Sequence, residues 1–258
     1  WLPWKFLIRQ VARSHKLIDP LEMLARLQSM AQPSEVTAPI ELLRFGLLLQ
    51  ARGLLNNRII PQNLDWVWPF WVKQQFDPRS DAFMPRAFSA TQVNLTFRNW
   101  TALGLPDCNA LPIVDPAGLL MPFWDGWSLD AWILGDEGDE LLPSRLGPSR
   151  QSLDHEGESL SLTTFSEGPA GRLERRVEVE PAEGNPSCRM LCTARGNGPG
   201  WLAVAFRPFN VEGIGAVRQI GLEEPATWSV DGSPCIGFDR PPDRHCASTY
   251  DDGDVHLG

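Results

Sequence analysis

Apolar and polar positions alternate along the chain from about residue 160 onward. Val177 and Val179, for example, alternate with Arg176, Glu178 and Glu180. A period of two places successive side chains on opposite faces of an extended strand, so each such run predicts a half-buried β-strand. The pattern predicts strands at residues 159–165, 173–180, 187–194, 201–207, 214–222, 227–230 and 233–238.

Turn residues separate these predicted strands. Gly196-Asn197-Gly198 lies between two of them and predicts a hairpin, and Asp231-Gly232 lies between two others. Closely spaced strands joined by short turns are typical of antiparallel sheets. The fold predicted for residues 160–258 is therefore an antiparallel β-sandwich, and the chain as a whole is predicted to be mainly β.

The N-terminal part of the chain has a helical pattern instead. Asp19-Pro20 and Thr37-Ala38-Pro39 are typical helix starts, and apolar residues follow each of them at helical spacing. Gly53 is the predicted end of the second helix, because glycine favours the backbone conformation found there. Residues 1–57 are thus predicted to form a short helical arm that precedes the sandwich.

Residues 58–135 are rich in Trp and Pro and predict irregular and short extended segments, including strands at 117–123 and 128–134. Residues 136–159 are polar and rich in Gly and Pro, which indicates a linker or a long loop. Alternatively, residues 58–258 form one large sandwich.

Composition and charge reduce the number of function classes that fit the chain. The chain has 258 residues, with 32 acidic and 23 basic residues and a formal charge of −9. Nucleic-acid binding is not expected, because contact with a phosphate backbone requires a positive surface. The 11 Trp, 23 Pro and 22 Gly residues favour a turn-rich β protein. No apolar run has the roughly 18 residues that a membrane span requires.

The first sixteen residues form a basic, aromatic segment without an acid. Such a segment can lie on an anionic membrane surface, or it can dock on a partner or on its own domain. The residues considered for membrane or partner docking are Trp1, Trp4, Lys5, Arg9 and Arg13. The predicted location is cytoplasmic, with peripheral contact at a membrane as one alternative.

The densest aromatic segment is Asp65-Trp66-Val67-Trp68-Pro69-Phe70-Trp71. Indole rings can stack on the apolar face of a pyranose while a carboxylate binds its hydroxyls, so Trp66, Trp68, Trp71 and Asp65 are candidate carbohydrate or partner contacts. Three Trp residues can equally form a core that anchors an irregular segment. Both interpretations are open at this point.

A second aromatic cluster contains Trp124, Asp125 and Trp127, which are further candidate contacts. Asp125 and Asp130 resemble the paired carboxylates of glycoside hydrolysis. Asp-Gly is also an ordinary turn, and Asp commonly caps local backbone. We therefore assign no catalytic residue.

Metal and cofactor chemistry has no clear signal. The five Cys residues contain no CxxC pair and the four His residues are scattered, so no metal site and no cofactor is expected. The odd number of Cys residues favours free thiols and a reducing compartment.

Residues 201–213 (WLAVAFRPFNVEG), with the turn Arg207-Pro208-Phe209-Asn210, resemble a strand and turn of the N-terminal β-sandwich of glycogen-debranching-type glucosidases. Residues 228–232 (WSVDG) share this resemblance, which covers about residues 160–250. In that family the sandwich precedes an (α/α)6 toroid, and the toroid contains the catalytic carboxylates.

The resemblance implies a non-catalytic β-sandwich module of carbohydrate-linked ancestry, with an α-glucan as the ligand. The chain starts at Trp1 and stops at Gly258 in mid-pattern, so the expectation is a piece of a longer glycoside hydrolase. The alternative is a structural or assembly subunit that docks onto a larger protein complex through its Trp-rich N-terminal half.

Overall fold

The computed structural model describes residues 51, 53–77, 79, 100–106, 111–123, 126–156, 159–181, 186–210, 213–215 and 217–257. The chain divides into two compact units, residues 1–59 with 86–93 and residues 60–85 with 94–258. In the first unit, residues 53–59 are helical. Gly53 was predicted to end a helix, and it instead lies within one. The rest of the predicted helical arm lies outside the described residues.

The second unit is built from antiparallel strands. They are β1 (Thr101–Ala102), β2 (Ile113–Val114), β3 (Leu120–Met121), β4 (Ser128–Gly135), β5 (Glu140–Leu141), β6 (Arg150–Glu156), β7 (Ser159–Gly168), β8 (Gly171–Glu180), β9 (Ser187–Gly196), β10 (Gly200–Arg207), β11 (Phe209–Asn210), β12 (Gly213–Ile214), β13 (Ile220–Glu224), β14 (Thr227–Val230) and β15 (Ser233–Gly237). The helices in this unit are α1 (Phe70–Phe76), α2 (Pro143–Leu146) and 3-10 turns at Ile60–Gln62 and Val255–Leu257. None of the helices in the described part of the chain is long and apolar enough to cross a bilayer.

Two sheets form the sandwich. One has the strand order β1-β2-β3-β4-β10, with β5 also paired to β4, and the other has the order β6-β7-β8-β9. Their facing sides share apolar clusters in which Val114 and Leu120 pack near Leu162 and Val177. Burying this area excludes water from both inner faces and is the main stabilising term. The predicted mainly β fold with antiparallel, sandwich-like sheets is confirmed, and the strands of these two sheets lie between residues 101 and 207.

Strand β8 shows why the sequence pattern was informative. Its buried residues alternate with exposed or half-buried ones, and Leu173 and Val177 face the core. Asp231 and Gly232 both have positive φ, 51° and 82°, and join β14 to β15 in a two-residue hairpin. Such a turn requires left-handed backbone at both positions, and Asp-Gly tolerates it well.

Residues 136–159 differ from the linker that was predicted. They contain β5, α2 and all of β6, and residues 141–144 are buried. The polar composition concealed short elements, because each is too brief to show a period. The predicted strand at 117–123 shrinks to β3, and that at 214–222 divides into β12 and β13.

The turn at 196–200 also differs from its prediction as a hairpin. Strand β9 pairs with β8, whereas β10 pairs with β4 along its whole length. The turn therefore carries the chain from one sheet to the other. Glycines suit this crossing, because a Cβ at Gly200 would collide with the carbonyl oxygen of Leu134.

Strand β4 is buried on both faces. Its second face packs against the segment before α1 and the C-terminal 3-10 turn, in a cluster that contains Val67, Trp132, Leu142 and Ala205. The second unit therefore has a third layer on the outside of the larger sheet, made of irregular chain.

Candidate functional site

Several candidate residues lie outside the described part of the chain. These are the N-terminal docking residues and two members of the second aromatic cluster, namely Trp1, Trp4, Lys5, Arg9, Arg13, Trp124 and Asp125. Membrane or partner docking through the N-terminal segment therefore stays a prediction. Trp127 is described, and it is buried against Phe206 with ring centroids 5.2 Å apart.

The Trp-rich segment at 65–71 packs into the third layer. Trp66, Trp68 and Trp71 are 8%, 1% and 2% exposed. Trp66 stacks on Trp68 at 5.7 Å, and the indole N–H of Trp68 donates to the carbonyl oxygen of Asn63 at 2.6 Å. Asp65 is exposed, and its backbone carbonyl accepts a hydrogen bond from Arg145. This arrangement fits the core interpretation of the three indoles and leaves no open ring face for a sugar.

A buried ion pair fastens that segment to the sheet. The Arg207 guanidinium donates two hydrogen bonds to the carboxylate of Asp254 and a third, at 3.0 Å, to the carbonyl oxygen of Val67. Asp254 also accepts the backbone N–H groups of Val67 and His256. We call this arrangement the Arg207 clasp. The clasp joins β10, the Trp-rich segment and the C-terminal turn, so its role is to hold these three segments together.

A second buried polar group lies between the two sheets. On one side of β4, β3 pairs only at Leu129 and β5 pairs only at Ile133 and Leu134. Asp130 lies in the break between them, where it accepts the Ala131 N–H and the Ser144 hydroxyl, both at 2.9 Å. The guanidinium of Arg175 approaches Asp130 at 3.5 Å. Thus the charged partner of Asp130 among the described residues is Arg175.

Arg175 makes further contacts inside the sandwich. It donates to the carbonyl oxygen of Ala117 at 2.6 Å and to the hydroxyl of Ser166 at 2.7 Å. Its Nε has no hydrogen-bond partner. Asp130 and Arg175 are almost completely buried, so a substrate cannot reach them in this conformation. Hydrolysis by Asp130 is therefore not supported by its surroundings.

Asp115 is the second carboxylate of this buried group. Its Oδ1 accepts the N–H groups of Ala117 and Leu119 at 2.8 Å, and its Oδ2 has no hydrogen-bond partner. The pKa of Asp115 is raised to about 7, mainly by burial and in smaller part by the nearby Asp130, against the opposing effects of the Leu119 N–H, Arg175 and the Ala117 N–H. A protonated carboxyl is the form that a dry site tolerates.

One row of side chains, two of them exposed, lies on the outer face of the larger sheet. The strand register places Trp201 of β10 opposite Leu134 of β4, and Leu134 opposite Glu140 of β5. Side chains opposite one another in antiparallel pairs share a face, so the three form one row. Trp201 and Glu140 are about 10 Å apart, because each strand spacing is about 4.8 Å. We call this row, with its flanking charges, the Trp201 strip.

Charged side chains flank both ends of the Trp201 strip. The Glu140 carboxylate contacts His256 Nε2 at 2.9 Å and Arg145 Nη1 at 3.8 Å. At the other end, the Arg244 guanidinium lies 4.8 Å from the centroid of the Trp201 ring. Trp201 is nevertheless 42% exposed. The strip thus combines a partly exposed indole, over which the Arg244 guanidinium lies, with hydrogen-bond donors and acceptors.

The sequence alone did not single out these residues as candidate contacts. Trp201 was used only for its strand pattern, and Glu140 lies in the predicted linker. The row of side chains extends across three strands, so it depends on how these strands pair. Glu140 and Trp201 are far apart in sequence, and no local pattern predicts that they align.

The described residues contain no group of three or more His, Cys, Asp or Glu side chains that could hold a metal ion. Cys188 and Cys192 are free thiols on β9, and burial raises their pKa values to about 12 and about 11. They are therefore poor nucleophiles.

Comparison with family models, with curated proteins and with solved structures gives no match for this chain.

Proposed function

We propose that this chain is a non-catalytic β-sandwich module that binds a neutral α-glucan on the Trp201 strip, and that it is related to the N-terminal sandwich of glycogen-debranching-type glycosidases. The strand register aligns the exposed Trp201 with the carboxylate of Glu140, with Leu134 between them. This alignment is the observation that supports binding. Trp201 also begins the segment on which the resemblance rests.

The chemistry of the strip suits a sugar. An indole ring offers a flat apolar surface for the C–H face of a pyranose. Glu140 accepts hydrogen bonds from hydroxyl groups, and the guanidinium groups of Arg145 and Arg244 donate them. A few polar groups around an apolar surface are typical of small-ligand sites, where the polar groups determine orientation.

The charge around the strip favours a neutral ligand. The turn between β4 and β5 contains Asp136, Glu137 and Asp139, all exposed, directly before Glu140. Four carboxylates near one end repel an anionic polymer, whereas the hydroxyl groups of a neutral glucan can donate to them. Binding rather than hydrolysis is proposed, because in the family that the chain resembles the catalytic carboxylates lie in a different domain.

Calorimetric titration with a linear malto-oligosaccharide tests the proposal. We expect saturable binding that Trp201→Ala abolishes and Glu140→Gln weakens, since the first removes the stacking surface and the second removes a charged acceptor. Tyr250→Ala is the matched control, because Tyr250 is exposed to 41% and belongs to the third layer instead. A cello-oligosaccharide, titrated in parallel, tests the preference for α-linkage.

Two results would contradict the proposal. One is an absence of binding to any malto-oligosaccharide by the folded chain. The other is binding that Trp201→Ala leaves unchanged while Tyr250→Ala removes it. The unfolding midpoint of each variant shows whether a lost interaction reflects a lost fold.

A further inference from the structure

Strand β10 is an edge strand of the larger sheet. It pairs with β4 from Gly200 to Arg207, and no strand in the described part of the chain pairs with its other side. The backbone N–H and C=O groups on that side form a hydrogen-bonding ladder that has no partner strand among the described residues. Such a ladder is a template for a further strand, so natural proteins usually protect it.

The other long edge strands are protected by charge. Strand β6 has Arg150 and Asp154, and β9 has Arg189 and Arg195. In contrast, β10 has no charged residue and no proline from Gly200 to Phe206 (GWLAVAF), and its one charged residue, Arg207, is buried in the clasp. An uncharged apolar edge strand is expected to be covered by another strand.

Both faces of β10 are apolar at this edge. Leu202, opposite Ile133, faces the interior of the sandwich, yet it is 44% exposed. Val204 and Phe206 follow on the same face and are only partly buried. These side chains belong to the edge strand of the larger sheet. A strand added next to β10 would therefore cover them.

We infer that β10 pairs antiparallel with β10 of a second copy of this chain, around a twofold axis near Ala203. In that register Trp201 lies opposite the small Ala205 of the other copy, and Leu202 lies opposite Val204. Only the residue on such an axis faces its own copy, and every other residue faces a different position of the same strand, so a strand whose charges are all of one sign opposes like charges when these positions pair. The uncharged β10 avoids this repulsion, whereas two β9 strands would bring their arginines together. Closed twofold pairing removes both open edges.

Sedimentation equilibrium over a concentration series tests the inference directly. The expected result is a species of twice the chain mass of 28.8 kDa. Leu202→Lys places a charge next to the axis, opposite the apolar Val204 of the other copy, and is expected to raise the dimer dissociation constant by about tenfold or more. Leu153→Lys is the matched control, because Leu153 is a similarly exposed leucine on the edge strand β6, and it should leave the dimer unchanged.

Amide hydrogen exchange supplies a second measurement that needs no variant. Backbone amides of β10 are expected to exchange more slowly as the protein concentration rises, whereas those of β6 should not change. A wild-type chain that stays monomeric at all concentrations overturns the inference. So does a dimer that Leu202→Lys leaves intact while β10 amides exchange freely.

Discussion

The guanidinium group of Arg175 occupies the space that a side chain at Gly118 would need. A Cβ at Gly118 would lie 2.5 Å from Cζ and 2.6 Å from Nη2 of Arg175. Gly118 also has a φ of +92°, which an L-residue adopts only with strain. The buried arginine and the turn between β2 and β3 therefore depend on each other.

Gly118→Ala is expected to destabilise the protein by about 3 kcal/mol or more. The left-handed backbone alone costs about 1–2 kcal/mol for a residue with a side chain. Displacing Arg175 additionally breaks buried hydrogen bonds, each of which costs about 1–3 kcal/mol when one partner is left alone. Urea unfolding measures the change.

Gly138→Ala is the control for that variant. Gly138 has nearly the same φ, +91°, but no atom lies within 4 Å of a Cβ built there. It should therefore show only the backbone cost. Equal losses in the two variants would mean that the contact with Arg175 contributes nothing.

Asp115 predicts a pH dependence of stability. Its pKa is raised from 3.8 to about 7 in the folded protein, so the folded state holds a proton that the unfolded chain has already released between these values. The free energy of unfolding should fall as pH rises through this window and then level off above it. Asp115→Asn should remove this fall, because the amide keeps an oxygen for Ala117 and Leu119 and cannot ionise.

The size of that effect follows from about 1.4 kcal/mol per pKa unit, which gives on the order of 4 kcal/mol above neutral pH as an upper figure. Urea unfolding of both proteins from about pH 4 to about pH 8 provides the comparison. If the wild type and Asp115→Asn have parallel pH profiles, Asp115 does not titrate in this window.

The Arg207 clasp predicts a large difference between breaking an ion pair and replacing it. Asp254→Ala leaves a buried guanidinium without its partner and is expected to cost about 3–5 kcal/mol. The double variant Arg207→Met, Asp254→Leu should regain much of this loss, since no buried charge remains. Thermal and urea unfolding of the single and double variants measure both changes.

A surface pair provides the reference for the clasp. Arg172 and Glu167 are 3.0 Å apart and well exposed. Glu167→Ala is expected to change stability by less than about 1 kcal/mol, because water screens exposed pairs. A loss in Asp254→Ala as small as that in Glu167→Ala would contradict the structural role of the clasp.

Thiol reactivity distinguishes the described cysteines. Cys246 is exposed, whereas burial raises the pKa values of Cys188 and Cys192 to about 12 and about 11. An alkylating reagent should modify Cys246 in the folded protein well before either cysteine on β9, because the thiolate is the reactive form. Peptide mass spectrometry over a time course identifies the order, and unfolding in urea should remove the difference.

The sequence predicted those strands and turns that are determined by residues close together in the chain. Alternation located β8, and the Asp231-Gly232 dipeptide located a hairpin. In contrast, Glu140 and Ser144 lie in segments too short to show a period. The pairing of Asp130 with Arg175 spans 45 positions, so spacing suggested the nearer Asp125 instead.

The candidate site was harder to predict for the same reason. Trp66, Trp68 and Trp71 are conspicuous in sequence, but burial places them in the third layer. Nothing in the sequence distinguishes Trp201 from other strand residues. Only the strand register aligns it with Glu140. Exposure and cross-strand alignment are tertiary properties, and one sequence does not contain a local signal for either.

The crossing of the chain between β9 and β10 has a consequence for the order of folding. Strands β6 to β9 follow one another with short connections, so each closes a small loop. Ser128 of β4, by contrast, meets Arg207 of β10 from 79 positions away. Loop closure over that distance is slow unless the intervening chain is already compact. We therefore expect the four-stranded sheet to form first and, by its compactness, to bring β4 and β10 close enough to pair.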